Sequence, residues 1–332
     1  MPENTPNAQR AQIALIGCGM WGRNIARNLH QLGVLAGVCD LSSAAAAEFA
    51  AQFETSALSF DEVLARDDIH GVCIVTAAPS HSALALRAFA AGKAVYIEKP
   101  LALTVADAEA IVRAAEQAQK PLMVGHLIRH HAGFQALCQL VQSGAVGRLR
   151  HLRLSRIAPG RIRDSESVLF DLCPHDLALV AALTERAEPS RVQCHGFSHI
   201  TPGIHDSVTA QLDFADGMTA SIQANWLNPV KIHNLTVIGD DGAIVFDDTK
   251  PWAEKLTRFA FSVTSADGVI TLDRDQGEAI PLLEAEPLKD EMQNFIDAIT
   301  TGQAPLTDGG EALYVQRIMA RMQTSLEQGS IT

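Results

Sequence analysis

Two side chains, a lysine at the end of an apolar run and a histidine beside a helix-start proline, stand where chemistry could be done. Lys99 sits in Glu98-Lys99-Pro100, directly after the apolar run Ala94-Val95-Tyr96-Ile97. A proline at that point stops a strand and stiffens the turn, through a cis bond in some turns. The carboxyl edge of an open parallel sheet is where such folds bind ligands. A solvated strand end is the other reading of the same tripeptide. His175 sits in Asp171-Leu172-Cys173-Pro174-His175-Asp176. Proline favours the first position of a helix, which predicts a helix over 174–183 with His175 and Asp176 in its first turn. A helix N-terminus disfavours an imidazolium, so His175 would stay neutral and able to accept a proton. Asp171, outside that helix, could fold back and orient the ring. A cap that compensates the helix dipole explains the same residues, and Asp176 is read that way.

A second constellation points to a dinucleotide. Gly17-Cys18-Gly19-Met20-Trp21-Gly22 follows an apolar run and opens a helical stretch. In a G-x-G-x-x-G turn the first glycine permits the bend, the second admits a pyrophosphate to the backbone, and the third lets helix and strand pack closely. Asp40 ends the next strand about 20 residues on, where this fold places an acid for the ribose 2′-hydroxyl. Its carboxylate would repel a 2′-phosphate, and Leu41-Ser42-Ser43 brings no arginine, which favours NAD over NADP. Thr76-Ala77-Ala78-Pro79-Ser80-His81 follows the third strand at the same edge; Thr76 and Pro79 should shape the floor under the cofactor. His81 is either a contact or a helix-start residue.

Arg156, Arg161 and Arg163 cluster just before the His175 segment. Arginine forks suit phosphate or carboxylate, which favours an anionic substrate; a solvated face paired with Asp164 and Glu166 is the alternative. His126, His130 and His131 have partial metal spacing but no acidic or cysteine partner in register, so no metal is expected. No G-x-S-x-G elbow supports serine hydrolysis.

The elements that must position these groups fall into two patterns. Over the first ~125 residues apolar runs at 12–16, 35–39, 71–75, 94–97 and 122–124 alternate with helical stretches at 21–32, 44–52, 81–91 and 105–119. That is the signature of βαβ units around a parallel sheet covered on both faces. Beyond residue 147 strands are expected at 148–156, 191–198, 207–214, 218–225, 234–238 and 243–247, with helices at 174–183, 289–300 and 311–328. Asp216-Gly217 and Asp240-Asp241-Gly242 read as hairpin turns. The expectation is an α/β chain with an N-terminal dinucleotide-binding domain over 10–125 and a C-terminal α+β domain over 126–332 built on a large, mostly antiparallel sheet.

Composition narrows the function classes. The 332 residues are 47% apolar and 19% charged, with a formal net charge of −12. Such a balance argues against nucleic acid or an anionic membrane as the main partner. Six scattered cysteines without a C-x-x-C pair read as thiols in a reducing compartment. The polar first ten residues lack a signal-peptide pattern, and no apolar run approaches a membrane span. A cytoplasmic protein is expected.

Taken in order, Gly17–Gly22, Asp40, Glu98-Lys99-Pro100 and Asp171-x-x-x-His175 resemble the glucose-fructose oxidoreductase / inositol dehydrogenase / MocA family. Val237-Ile238-Gly239-Asp240-Asp241-Gly242 and Pro305-Leu306-Thr307-Asp308-Gly309-Gly310-Glu311 extend the resemblance over nearly the whole chain. Gly125–His131, Gly160–Arg163 and Phe170–Leu177 are similar to a narrower group, the UDP-N-acetylglucosamine 3-dehydrogenases, with Cys173 where glycine or alanine is usual. The resemblance implies a Rossmann domain, then a domain whose open sheet mediates assembly into a homodimer or homotetramer. It implies that Lys99, His175 and Asp171 are catalytic. NAD contacts would come from Gly17, Gly19, Met20, Trp21, Gly22, Asp40, Thr76, Ala77, Pro79, His81, Glu98 and Lys99. Substrate contacts would come from Lys99, His126, Arg156, Arg161, Arg163 and His175. The implied activity makes a 3-keto nucleotide sugar for an aminotransferase in amino-sugar synthesis of the lipid A type. Another sugar, inositol or a UDP-hexuronic acid is an alternative substrate. A non-catalytic NAD-binding regulator is a further alternative, which would predict loss of the lysine or the histidine.

Overall fold

Strands that are apolar at every position belong in the middle of a sheet covered on both faces, and that is where the computed structural model places them. It describes residues 11–160, 162–163 and 166–329; the N-terminal ten residues and Arg161 lie outside the described set. The chain divides into two units. The first runs up to Leu127 and takes back Glu286–Gln316; the second holds Ile128–Ala285 and the residues from Arg317. The expected contiguous second domain over 126–332 is therefore interrupted.

In the first unit the order is β1 (Ile13–Ile16), α1 (Met20–Gln31), β2 (Leu35–Cys39), α2 (Ser43–Gln52), α3 (Phe60–Ala65), β3 (Gly71–Ile74), α4 (His81–Ala90), β4 (Ala94–Ile97), α5 (Val105–Ala118) and β5 (Leu122–Val124). The five strands pair in parallel in the order β2-β1-β3-β4-β5. Strand side chains alternate between faces, and the core divides accordingly. Ala14, Ile16, Val95 and Ile97 pack on one side with Ala85, Phe89 and Ile111 of α4 and α5. Ile13, Leu15, Ala94 and Tyr96 pack on the other with Ile25 and Leu29 of α1 and with Met292, Phe295 and Ile296 from the returning segment. The returning segment thus completes one of the two covering layers, which no local pattern announces.

The second unit contains α6 (Ala132–Gln142), β6 (Leu149–Pro159), α7 (Val168–Leu183), β7 (Arg191–Phe197), β8 (Ser207–Asp213), β9 (Thr219–Asn225), β10 (Leu227–Gly239), β11 (Gly242–Asp247), β12 (Leu256–Ala266), β13 (Val269–Arg274) and β14 (Glu278–Ala279). In chain order α8 (Pro287–Thr301) follows, wholly in the returning segment of the first unit, and then α9 (Gly309–Gly329), whose residues up to Gln316 belong to the first unit and the rest to the second. The sheet order is β13-β12-β11-β10-β6-β9-β8-β7, with β14 on β12. All neighbours are antiparallel except β6 and β9, which pair in parallel. Helix α7 packs against β6, β8 and β9.

Several elements depart from expectation: α3, α6 and β14 are absent from the sequence reading. The hairpin β12–β13 is missing from the sequence reading, although Asp267 (φ 52°) and Gly268 (φ 78°) supply the positive φ values of a two-residue turn between alternating strands. Helix α7 starts at Val168 behind Ser167, so Pro174 lies in its interior rather than at its first position. An interior proline costs about 3 kcal/mol. Burial of Val168, Leu169, Cys173, Leu177, Leu179 and Val180 along the helix outweighs that loss, at about 1.5–3 kcal/mol for each large aliphatic side chain. No helix among the described residues is long and apolar enough to cross a membrane.

Candidate active site

The glycine turn has the shape its sequence demands. Gly17 adopts φ +111°, and a Cβ there would come within 2.6 Å of the Val75 carbonyl oxygen. A Cβ on Gly22 would come within 2.1 Å of the Gly17 carbonyl oxygen, whereas one on Gly19 would point into open space. Helix α1 begins after Gly19 with no side-chain cap and no acid in its first turn. Its first amides therefore face that open space with the positive end of the helix dipole, an anion-binding arrangement. Met20, 80% exposed, and Trp21 form the start of the helix. Asp40 closes the turn by accepting from the Cys18 amide at 2.7 Å and the Ser42 amide at 2.8 Å.

Lys99 follows β4 at the carboxyl edge of the same sheet, and the Lys99–Pro100 bond is cis. Glu98 accepts hydrogen bonds from Tyr96 Oη, Trp21 Nε1 and the Lys99 amide. Burial raises its pKa, opposed by those three donors and by the Lys99 charge. Thr76 and Pro79 lie in the turn after β3, where Pro79 is part of the 3₁₀ segment Ala78–Ser80 behind Ala77. His81 is buried, unlike a cofactor contact. Its Nδ1 lies 2.9 Å from the Pro100 carbonyl and its Nε2 3.0 Å from the Thr76 carbonyl. The ring ties the β3 turn to the Lys99–Pro100 turn, and burial pushes its pKa down. His126 is also buried rather than presented to a substrate, with Nδ1 3.2 Å from Glu311 Oε1. Among the described residues no group of side chains could hold a metal ion.

In the second unit His175 lies beyond the first turn of α7, so the field of a helix N-terminus does not reach it. Asp171 lies inside the helix, not outside it, one turn before His175 on the same face. Its Oδ1 accepts from Arg163 Nη2 at 2.8 Å and its Oδ2 from Trp226 Nε1 at 3.1 Å. Asp176 is no helix cap. It is buried, and Arg156 donates to its Oδ1 from Nε at 3.1 Å and from Nη2 at 2.9 Å. Arg163 also pairs with Glu166. The described arginines are thus committed first to carboxylates of this unit. Arg156, Arg163, Asp171, Asn225, Trp226, Lys231 and His233 line a cleft of about 280 Å³. His233 in turn reaches Asp248 at 3.1 Å, beside Lys255 at 2.9 Å and His131 at 3.4 Å. Burial alone would raise the Asp248 pKa, but hydrogen bonds from His131, His233 and Lys255 hold it far below the ordinary carboxylate range. Sequence reasoning missed Trp226, Lys231 and His233. Trp226 lies between β9 and β10 and the other two on β10, in a stretch with no motif, and the pairing of β10 with β6 sets His233 opposite Arg156.

Comparison with known proteins agrees with this geometry. Residues 11–126 match the oxidoreductase family with the NAD-binding Rossmann fold, and residues 134–245 match the GFO/IDH/MocA C-terminal domain. The chain belongs to the GFO/IDH/MocA oxidoreductase family. It is 32% identical over 90% of its length, and 91% of the relative's, to a UDP-N-acetylglucosamine 3-dehydrogenase of Acidithiobacillus ferrooxidans. A solved structure of that enzyme superimposes with a TM-score of 0.84 at 28% identity, covering 96% of this chain and 97% of the other. An inositol 2-dehydrogenase of Ralstonia nicotianae is 28% identical over 88% of this chain and 86% of its own.

As a GFO/IDH/MocA oxidoreductase the chain uses NAD. The residues fit that cofactor: the uncapped helix start, the open side of Gly19 and the Asp40 carboxylate together suit a pyrophosphate and an unphosphorylated ribose. The non-catalytic regulator reading is set aside by this membership.

Proposed function

We propose that the chain oxidises the 3-hydroxyl of UDP-N-acetylglucosamine to a 3-keto nucleotide sugar, which an aminotransferase then consumes in amino-sugar synthesis for the cell envelope. The similarity to a UDP-N-acetylglucosamine 3-dehydrogenase over nine-tenths of both chains carries this reading. NAD, when bound, supplies the hydride acceptor. Gly17, Gly19, Met20, Trp21, Gly22 and Asp40 would hold its phosphates and adenosine ribose, with Thr76, Ala77, Pro79 and Glu98 near the nicotinamide end. His175 takes the proton of the reacting hydroxyl, a role worth ~10²–10⁴-fold in rate. Lys99 donates a hydrogen bond to the oxygen as negative charge develops on it, a contribution of roughly 3–4 kcal/mol for a preorganised donor. Asp171 holds His175 in orientation, one helical turn away. Arg156 and Arg163 give the cleft its positive lining, and Arg161, outside the described residues, joins the same segment as a phosphate contact.

The inositol 2-dehydrogenase relative supports a second reading, a cyclic polyol substrate. NADH formation with UDP-N-acetylglucosamine, its uronic acid analogue and myo-inositol separates the two, with the 3-keto product trapped by amination. Turnover of myo-inositol but not of the nucleotide sugar would overturn the first. Assembly of two or four copies through the sheet is proposed from the exposed Val263, Val269, Ile270 and Leu272 of β12 and β13; light scattering would measure it.

A further inference from the structure

Glu291 and Tyr96 are buried in the first unit and have no part in the chemistry above. Tyr96 lies on β4 and Glu291 on α8, 195 residues away in sequence, and both are fully enclosed, each 0% exposed. Tyr96 Oη is 2.8 Å from Glu98 Oε1 and 3.2 Å from Glu291 Oε2. A phenol has one proton to donate, so it can serve only one of two ionised carboxylates, and the other would face its lone pairs. Both contacts are attractive when one carboxyl carries a proton and gives it to the phenol oxygen.

The surroundings decide which one. Glu98 is partly exposed and has two more donors, Trp21 Nε1 and the Lys99 amide at 3.3 Å. Glu291 Oε1 has no hydrogen-bond partner among the described residues. Among the described residues the titratable groups that act on Glu291 and Glu98, besides each other, are Tyr96, Cys73 and Lys99, of which Lys99, next to Glu98, is the cation. A neutral acid tolerates that setting; a buried carboxylate without a cation does not. The array is also closed from the β5 side, because a Cβ on Gly125 would fall 2.5 Å from Tyr96 Oη and 2.9 Å from the Glu98 carboxyl.

We propose that Glu291 is a permanently neutral carboxylic acid that donates to Tyr96, forces the Tyr96 hydroxyl to donate to Glu98, and so fixes Glu98 as an oriented carboxylate beside Lys99. Glu291 is then a positioning residue, acting through Tyr96 and Glu98. Burial, reinforced by the Glu98 charge, pushes the Glu291 pKa well above the carboxylate range, in agreement with the donor count. The protonation pattern belongs to the resting protein and holds for any substrate; only its consequence for turnover rests on the role of Lys99 proposed above.

Infrared difference spectroscopy on the full chain tests it at about pH 8, far above the ordinary titration of Glu. The wild type should show a protonated-carboxyl stretch that Glu291→Gln removes. If no such band is present, Glu291 is ionised and the proposal fails. Tyr96→Phe gives a second reading should the glutamine variant not fold. The acid band should move as it loses its acceptor, and the carboxylate band of Glu98 should titrate at higher pH as it loses a donor. An unmoved band and an unmoved titration would both count against the chain of donors. In turnover the acidic limb of the kcat profile should rise with the Glu98 titration in Tyr96→Phe; a fixed limb would remove the link to Lys99. Failure of the sugar panel alone would leave the infrared result standing.

Discussion

Replacing either partner of the Arg156–Asp176 pair should destabilise the second unit far more than replacing both. The side chains are 14% and 3% exposed, and two N–H groups of the guanidinium converge on Asp176 Oδ1. Asp176→Leu leaves the guanidinium buried without its acceptor, and Arg156→Met leaves the carboxylate buried without its cation. Removing one partner of such a pair costs about 3–5 kcal/mol. At ~2–4 °C per kcal/mol for a domain of this size, each single variant should melt some 6–20 °C lower. The double variant Arg156→Met/Asp176→Leu exchanges the pair for apolar side chains of similar volume and should recover most of that loss. The exposed Arg150–Asp240 pair, 47% and 43% exposed, is the control, worth about 1 kcal/mol or less. Thermal melts followed by circular dichroism give all the terms. Single variants that melt within a few degrees of the wild type, or a double variant as damaged as the singles, would refute the assignment of Arg156 to a structural pair and return it to the substrate.

Lys99→Met should abolish turnover, by roughly 10²–10³-fold or more, while NADH fluorescence still reports binding; a fully active variant would sink the mechanism. Gly22→Ala forces a Cβ to within 2.1 Å of the Gly17 carbonyl and should lose both stability and NAD binding, whereas Gly19→Ala enters open space, keeps its melting temperature and weakens NAD binding alone. Calorimetry against thermal melts separates those two effects. The stability–pH curve should have two limbs. Burial, and then the Arg156 charge, lower the His233 pKa, so the unfolded chain protonates first and stability falls as pH drops below about 6.5. Asp248 has a depressed pKa, so its contribution is present above about 3.9 and is lost as pH falls below that value. Melting temperatures from about pH 7.5 to 3 should show a shallower upper limb in His233→Gln and a shallower lower limb in Asp248→Asn, with His81 and the other paired carboxylates supplying the remainder.

The parallel sheet was legible because its strands, buried on both faces, need only local apolar runs, and four of its helices carry the helical pattern between them. Helix α3 went unread although Ser59 and Glu62 form a capping box in which each satisfies the other's backbone amide. Helix α7 was misplaced by the weight given to Pro174, since local propensity favours a start there and tertiary burial of Val168 and Leu169 overrides it. His126 and His81 looked like contacts because a histidine's type says nothing of what surrounds it; Glu311 and two carbonyl groups decide their roles. His233 reaches the cleft through its register with Arg156 of β6.

The order of residues alone determined the glycine turn, Asp40 and the position of Lys99 at a strand end, because each depends on backbone conformation within a few residues. Whether a charged side chain is a ligand contact or half of an ion pair depends on what the fold brings against it. Only the tertiary structure gave Arg156 to Asp176 and Arg163 to Asp171. Only the return of Pro287–Thr301 to the first unit set Glu291 behind Tyr96 and Glu98, next to the lysine. Burial and pairing, which decide protonation and therefore chemistry, are properties of residues distant in sequence.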